Sequence, residues 1–196
     1  MSPKIKHILN CAMNILKESG DQGLTMRKVA ETAEMRKVAE TAEMRLSNVQ
    51  YYFKTKELLL VALLERFLVD YGESMLLLSF SNQHNSERKL SHLTLHILNN
   101  VQNSDCAVVF KEIWAIAERN SGVKKALDDY YTKLHAMLFE VLKAAAPENC
   151  QDQQVNNAVA ILLPFIEGYC ITSAHLKVSA KKLSEQLALI LYKLLD

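Results

Sequence analysis

Apolar side chains recur along most of this chain at the three- and four-residue spacing that places them on one face of a helix. The apolar stripes lie at residues 5–16, 58–78, 90–101, 107–117, 123–142, 155–176 and 183–194. Only Val49–Phe53 could form a strand, and a lone strand would leave its backbone groups without partners, so we predict a helix there too. The pattern therefore predicts an all-α fold of about nine helices.

Composition narrows the class of protein further. The 196 residues include only 5 Gly and 3 Pro, too few for a sandwich or barrel with a turn about every ten residues. The longest apolar run, Leu58–Leu64, is far too short to cross a membrane, and no basic-then-apolar leader opens the chain. The cysteines are widely spaced, as is typical of reduced thiols. We expect a cytoplasmic protein with no membrane partner.

One segment of the chain is duplicated. Residues 26–34 read MRKVAETAE, and residues 35–43 repeat the same letters before Met44 and Arg45. Nine residues make about 900° of helix, a half-turn out of phase, so the two copies cannot pack on the same core as one helix. We expect the second copy to occupy the working position because it keeps its junction with the residues that follow, although the first copy keeps the junction with Thr25. The first copy would then extend the preceding helix or bulge out.

With one copy removed, residues 24–58 describe a capped helix, a short turn and a second short helix. The second helix offers Ser47, Asn48 and Gln50, whose short polar side chains can reach the edges of bases. Tyr51, Lys54 and Lys56 can reach phosphates. This arrangement is typical of a helix-turn-helix motif, whose second helix lies in the major groove of DNA. The DNA-contacting residues that we predict are Thr25, Arg45, Leu46, Ser47, Asn48, Gln50, Tyr51, Lys54 and Lys56.

Residues 1–60 resemble the tetracycline-repressor-like (TetR/AcrR) transcriptional regulators. The shared elements are G-L-T from Gly23, V-A-E-T-A from Val38 and Y-Y-F-K-T-K-E-L-L from Tyr51. The family usually has Gly where this chain has Glu43, a residue that suits a turn whose backbone stays right-handed. The rest of the chain is similar to the family only in its number of helices and its apolar pattern.

The resemblance implies a homodimeric repressor with a DNA-binding domain at residues 1–57 and an effector-binding and dimerisation domain at residues 58–196. The last two helices, at about 153–176 and 180–195, would pair with those of a second copy, and the two heads would meet a near-palindromic double-stranded DNA operator. The interface residues that this implies are Ile161, Phe165, Leu187, Ile190 and Leu191. A small-molecule effector, expected to be lipophilic, would bind among the middle helices and shift the long fourth helix.

Several large side chains of the second domain could line an effector cavity, since such cavities are mostly apolar with a few polar groups. The candidates are Phe110, Trp114, Tyr130, Met137, Phe165 and Tyr169, and for any one of them ordinary core packing is the alternative. His92 and His96 have a spacing that can hold a metal, but no third ligand lies nearby, so we expect no metal and no cofactor. No active-site motif of an enzyme is present, and we expect no enzymatic activity.

The net charge of +1 divides unevenly along the chain. Residues 1–60 contain ten Lys and Arg against seven Asp and Glu, a net +3, and the remainder contains thirteen against fifteen, a net −2. A basic head on a slightly acidic body fits DNA binding through local contacts. The alternative function is a ligand-sensing or interaction protein in which the repeat at 26–43 has weakened or abolished DNA binding.

Overall fold

The computed structural model describes the backbone of residues 2–19, 29–79, 85–103 and 106–196, and the side chains of residues 2–16, 35–70, 85–102 and 107–196. Nine α-helices and no strand occur in these ranges. They are α1 (Pro3–Ser19), α2 (Val29–Thr41), α3 (Leu46–Tyr52), α4 (Lys56–Ser79), α5 (Ser86–Asn103), α6 (Cys106–Ala117), α7 (Ser121–Ala145), α8 (Asp152–Thr172) and α9 (Ala180–Leu195). The prediction of an all-α fold is confirmed.

The end of α8 differs from the sequence prediction. The apolar stripe continues to Leu176, but α8 ends at Thr172, and a single turn of 3₁₀-helix, Ser173–His175, follows. The Thr172 hydroxyl donates to the Gly168 carbonyl oxygen at 2.7 Å. Such a bond competes with the backbone ladder and is common where a helix bends or ends, so a polar residue stops the helix inside an apolar stripe.

The chain forms two compact units, of which the first comprises Met1–Phe67 and Val108–Tyr130. Within it α1 packs on α2 and α2 packs on α3. Its core is built from apolar side chains at helical spacing, as the stripes predict. The buried residues at its centre include Ile8, Leu9, Val38, Val49, Leu63 and Ile113.

The second unit comprises Leu68–Ala107 and Tyr131–Asp196. In this unit α5, α8 and α9 pack on one another. Thr94 of α5 is fully buried, and its hydroxyl lies 2.8 Å from the Leu90 carbonyl oxygen and 3.1 Å from the Ser184 carbonyl oxygen of α9. The buried Thr94 hydroxyl therefore has hydrogen-bond acceptors within reach on both α5 and α9, so it is not left unsatisfied in the core.

Candidate nucleic-acid interface

The second copy of the repeat occupies the core position in α2. Its Met35, Val38, Ala39 and Ala42 are all buried. The helix begins earlier, at Val29, so the described residues of the first copy lie in α2 itself. The expectation that the first copy extends the preceding helix or bulges out is therefore corrected for residues 29–34. Thr25 and the rest of the first copy lie outside the described residues.

The turn between α2 and α3 is a Schellman motif. The Met44 N–H donates to the Ala39 carbonyl at 2.8 Å, and the Glu43 N–H donates to the Glu40 carbonyl at 3.0 Å. Glu43 has a φ of 52°, in the left-handed region. The expectation of a right-handed backbone is wrong here, because these two bonds close only when the residue after the helix turns left-handed, whatever its side chain.

A histidine from α1 supports the same turn. His7 Nε2 lies 3.1 Å from the Ala42 carbonyl oxygen, one of the carbonyl groups left over at the end of α2, and donates to it in the tautomer that carries hydrogen on Nε2. The two residues are 35 positions apart, so no local motif could have predicted the contact. His7 thereby fixes the entry into α3 from a third helix.

Replacing Glu43 by Gly is expected to raise the free energy of unfolding by about 1 kcal/mol, because glycine adopts a left-handed backbone without steric strain. Thermal unfolding monitored by circular dichroism would show a midpoint about 2–4 °C higher in a chain of this size. Glu40→Gly is the matched control, since it removes the same charge from an exposed position inside α2 and should lower stability by up to about 1 kcal/mol. Equal shifts in the same direction would contradict the assignment of strain to position 43.

Helix α3 presents one buried and one polar face. Val49 is fully buried, and Phe53, which ends the helix in an extended conformation, is buried as well. These two residues anchor the helix on the rest of the first unit. The opposite face is polar because Ser47, Gln50 and Tyr51 follow the helical spacing on the outer side.

The structure brings most of the predicted DNA contacts onto this outer face and the residues beside it. Arg45, Ser47, Asn48, Gln50 and Lys54 are exposed, while Leu46 and Lys56 are half-buried. Tyr51 is 81% exposed, with its ring edge-on to Tyr52 at a centroid distance of 5.2 Å. An exposed tyrosine beside basic residues can donate a hydrogen bond from its hydroxyl to a phosphate of the DNA backbone.

The segment after α3 is tied to the turn between α6 and α7. The Asn120 Nδ2 donates to Glu57 Oε1 at 2.8 Å, and both residues belong to the first unit. Burial acts to raise the pKa of Glu57, but hydrogen bonds from its own backbone N–H and from the Asn120 and Thr55 side chains outweigh it and lower that pKa. The sequence offers no signal for this contact, whose partners are 63 positions apart.

The candidate effector residues fall into two groups. In the first unit the Phe110 ring is packed at centroid distances of 5.2 Å from Tyr130 and 6.5 Å from Trp114. In the second unit Phe165 stacks on Tyr169, whose hydroxyl lies 3.4 Å from Gln102 Oε1. Met137 is half-buried. Phe110 and Tyr130 are buried, which fits the alternative of core packing, and an effector cavity stays a prediction.

The candidate dimer residues divide by exposure. Ile161 is 48% exposed and Ile190 is 51% exposed, and Phe165 is half-buried. Leu187 and Leu191 are buried in the protomer's own core, so they have no surface to offer a second copy. The dimer interface stays a prediction, which the exposed Ile161 and Ile190 carry better than these two leucines do.

Histidine and cysteine side chains do not gather into a metal site in the part of the chain that the structure describes. His96 Nε2 lies 2.8 Å from Asn100 Nδ2, and burial lowers the pKa of His96. The imidazole of His96 is therefore used in a hydrogen bond along its own helix, α5.

The sequence is similar to that of a known regulator, although no protein-family model matches the chain. The relative is described as an uncharacterized HTH-type transcriptional regulator in the dhlA 5' region of Xanthobacter autotrophicus. It is 35% identical over 188 residues, which cover 94% of this chain and 86% of that protein.

Solved structures share the fold along the whole chain. A TetR transcription regulator from Haloarcula marismortui matches with a TM-score of 0.71 at 19% identity, over 100% of this chain and 99% of the other. The transcriptional regulator FadR from Bacillus subtilis, solved in complex with stearoyl-CoA, matches with a TM-score of 0.68 at 17% identity, over 97% of this chain and 99% of the other. These relatives are transcription regulators and not enzymes. The relative that is 35% identical shows that the chain belongs to the HTH-type transcriptional regulators, and its fold is the one seen in the solved TetR regulator.

Proposed function

We propose that the protein is a cytoplasmic homodimeric repressor that binds a near-palindromic operator through α3 and is released by a lipophilic small molecule. The observation that carries the proposal is the outer face of α3, where polar side chains stand exposed over a buried Val49 anchor. On this reading Ser47, Asn48 and Gln50 reach base edges, and Tyr51 and Lys54 contact phosphates. Two such helices would enter successive major grooves about 34–36 Å apart.

An exposed apolar surface supports the homodimer. Asp152–His175 is long and apolar enough to cross a membrane by length and composition, yet only 22% of its most apolar stretch is buried in the protomer. Ile161 on α8 and Ile190 on the neighbouring α9 leave large apolar side chains in solvent. A second copy that covers this surface would bury it and link the two DNA-binding heads.

A solved structure with the same fold supports release by an effector. The FadR neighbour from Bacillus subtilis was solved with stearoyl-CoA, a lipophilic ligand, on the same fold. An effector that prefers one conformation of the helical body would shift operator affinity by its differential binding, typically about 1–3 kcal/mol.

The turn between α2 and α3 favours this function over a sensor that has lost DNA binding through the repeat. The second copy is packed on the core, and both Schellman hydrogen bonds are formed ahead of α3. The nine extra residues of the first copy come before the second copy and the turn in the sequence. The turn that orients α3 is therefore complete with the repeat in place.

Selection of duplexes from a random library by the full-length protein tests the proposal. We expect recovery of a two-fold symmetric site. Gln50→Ala should relax the preference at one base position at a cost of about 1–3 kcal/mol, whereas Lys54→Ala should weaken all sites alike and reduce the dependence on salt. Glu140→Ala, an exposed substitution on α7, is the control. Failure to enrich any duplex would contradict DNA binding.

Removal of nine residues, which gives the same chain whichever copy is deleted, separates the two candidate functions. If the repeat disables the head, the deletion variant binds the selected duplex much more tightly than the intact protein. Because the second copy already forms the complete turn, we expect the two affinities to agree within about threefold at matched salt.

A further inference from the structure

The Asn120 side chain joins the starts of two helices of the first unit, α7 and α4. Its Oδ1 accepts hydrogen bonds from the Gly122 N–H at 3.0 Å and the Val123 N–H at 3.1 Å, which caps the N-terminus of α7. Its Nδ2 donates to Glu57 Oε1 at 2.8 Å, in the first turn of α4. One side chain therefore caps α7 and also forms a hydrogen bond to the first turn of α4.

The packing at this junction is close. A Cβ atom added to Gly122 would lie 3.3 Å from Asn120 Oδ1 and 3.7 Å from Glu57 Cγ. The first turn of α7 therefore leaves room for little more than a methyl group beside the side chain of Glu57, which is held by the hydrogen bond from Asn120. Movement of the α6–α7 turn would have to break that bond or move Glu57 with it.

The start of α4 in turn determines where α3 ends. Only Phe53, Lys54 and Thr55 connect the two helices, and Phe53 is buried and extended. The Thr55 hydroxyl accepts from the Leu58 N–H at 3.3 Å and caps α4. Because the connector is short and its first residue is buried, the C-terminal end of α3 can move little unless Glu57 and the start of α4 move with it.

We propose that Asn120 and Glu57 are positioning residues for α3, and that the α6–α7 turn controls operator affinity through their hydrogen bond. The proposal rests on the proposed function, because it needs α3 to read DNA. Displacement of the α6–α7 turn breaks the bond, frees the first turn of α4 and lets the end of α3 that carries Tyr51 and Lys54 leave its DNA-binding position. The same bond works in reverse, so operator binding stabilises the turn.

Asn120→Asp separates this role from simple capping of α7. Aspartate caps a helix as well as asparagine does, but its second oxygen faces the Glu57 carboxylate and repels it. We expect operator affinity to fall about tenfold or more, within the usual range of such couplings. Combining it with Glu57→Gln restores one hydrogen bond with the donor and acceptor exchanged, and should return affinity to within about threefold of the Glu57→Gln variant.

The affinities are measured with the duplex selected by the wild-type protein. Amide hydrogen exchange over residues 46–55 adds a readout that needs no DNA. We expect exchange there to be about tenfold faster in the Asn120→Asp protein and to recover in the double variant, while α9 is unchanged in both. Unchanged exchange over 46–55, or an affinity loss that the second substitution does not rescue, would overturn the inference. Failure of the wild type to select a duplex would overturn the proposed function alone, because the exchange result still decides whether the bond positions α3.

Discussion

Replacement of Ile190 by Asp is expected to convert the proposed dimer of about 44 kDa, twice the 22.2 kDa chain, into protomers. The side chain is 51% exposed in the protomer, so the substitution should leave the fold of the chain intact. In a two-fold symmetric interface each substitution is present twice, and an unpaired carboxylate buried in an apolar surface costs several kcal/mol. The dissociation constant of the dimer should therefore rise by about 100-fold or more.

Operator affinity should fall when the proposed dimer dissociates. A protomer can occupy only one half-site, and loss of the link between two binding heads typically lowers affinity by a factor of about 10²–10⁴. Sedimentation velocity gives the state of association, and titration of the selected duplex gives the affinity, both at matched protein concentration. Ile161→Asp on α8 should act in the same way.

A charge introduced elsewhere controls for the effect of aspartate itself. Val108 on α6 is 42% exposed and belongs to the first unit, so Val108→Asp adds the same charge on a helix that is not part of the proposed interface. That variant should remain dimeric. An Ile190→Asp protein that sediments as the wild type does would remove this surface from the proposed interface.

The division between the inner and outer faces of α9 shows where sequence reasoning stops. Helical spacing predicts the stripe from Leu183 to Leu194, but the stripe is wide enough to serve two surfaces. The structure turns Leu187 and Leu191 inward and Ile190 outward. Hydrophobicity alone cannot separate the side that packs on the same protomer from the side left for another, because both sides are apolar.

Helix α3 was predictable for the opposite reason. In α3 a single buried position, Val49, lies among polar residues, so the register of the helix is determined locally. The left-handed Glu43 was not predictable, since its conformation follows from hydrogen bonds that end α2 rather than from its side chain. The contact between Asn120 and Glu57 could not be predicted from the sequence, because it joins positions far apart along the chain.

Glu167→Gln is expected to raise the free energy of unfolding at pH 8 by up to about 3 kcal/mol, and by much less at pH 5. Burial on α8 raises the pKa of Glu167 to about 7 from an ordinary value of 4.5, against the opposing effect of a hydrogen bond from Tyr131. Because the folded protein holds this proton more tightly than the unfolded chain does, wild-type stability falls as pH rises from about 4.5 to 7. Glutamine is neutral throughout and removes that fall.

Urea unfolding of both proteins at several pH values from 5 to 8 measures the effect, at one protomer concentration because association also contributes to stability. Glu140→Gln is the control, since it removes a carboxylate from an exposed position on α7 in the same unit. The difference between wild type and Glu167→Gln should widen with pH and level off above about pH 7, whereas the control should run parallel to the wild type. If the curves for Glu167→Gln and wild type are parallel across this range, the carboxyl of Glu167 does not titrate near neutral pH in the folded protein.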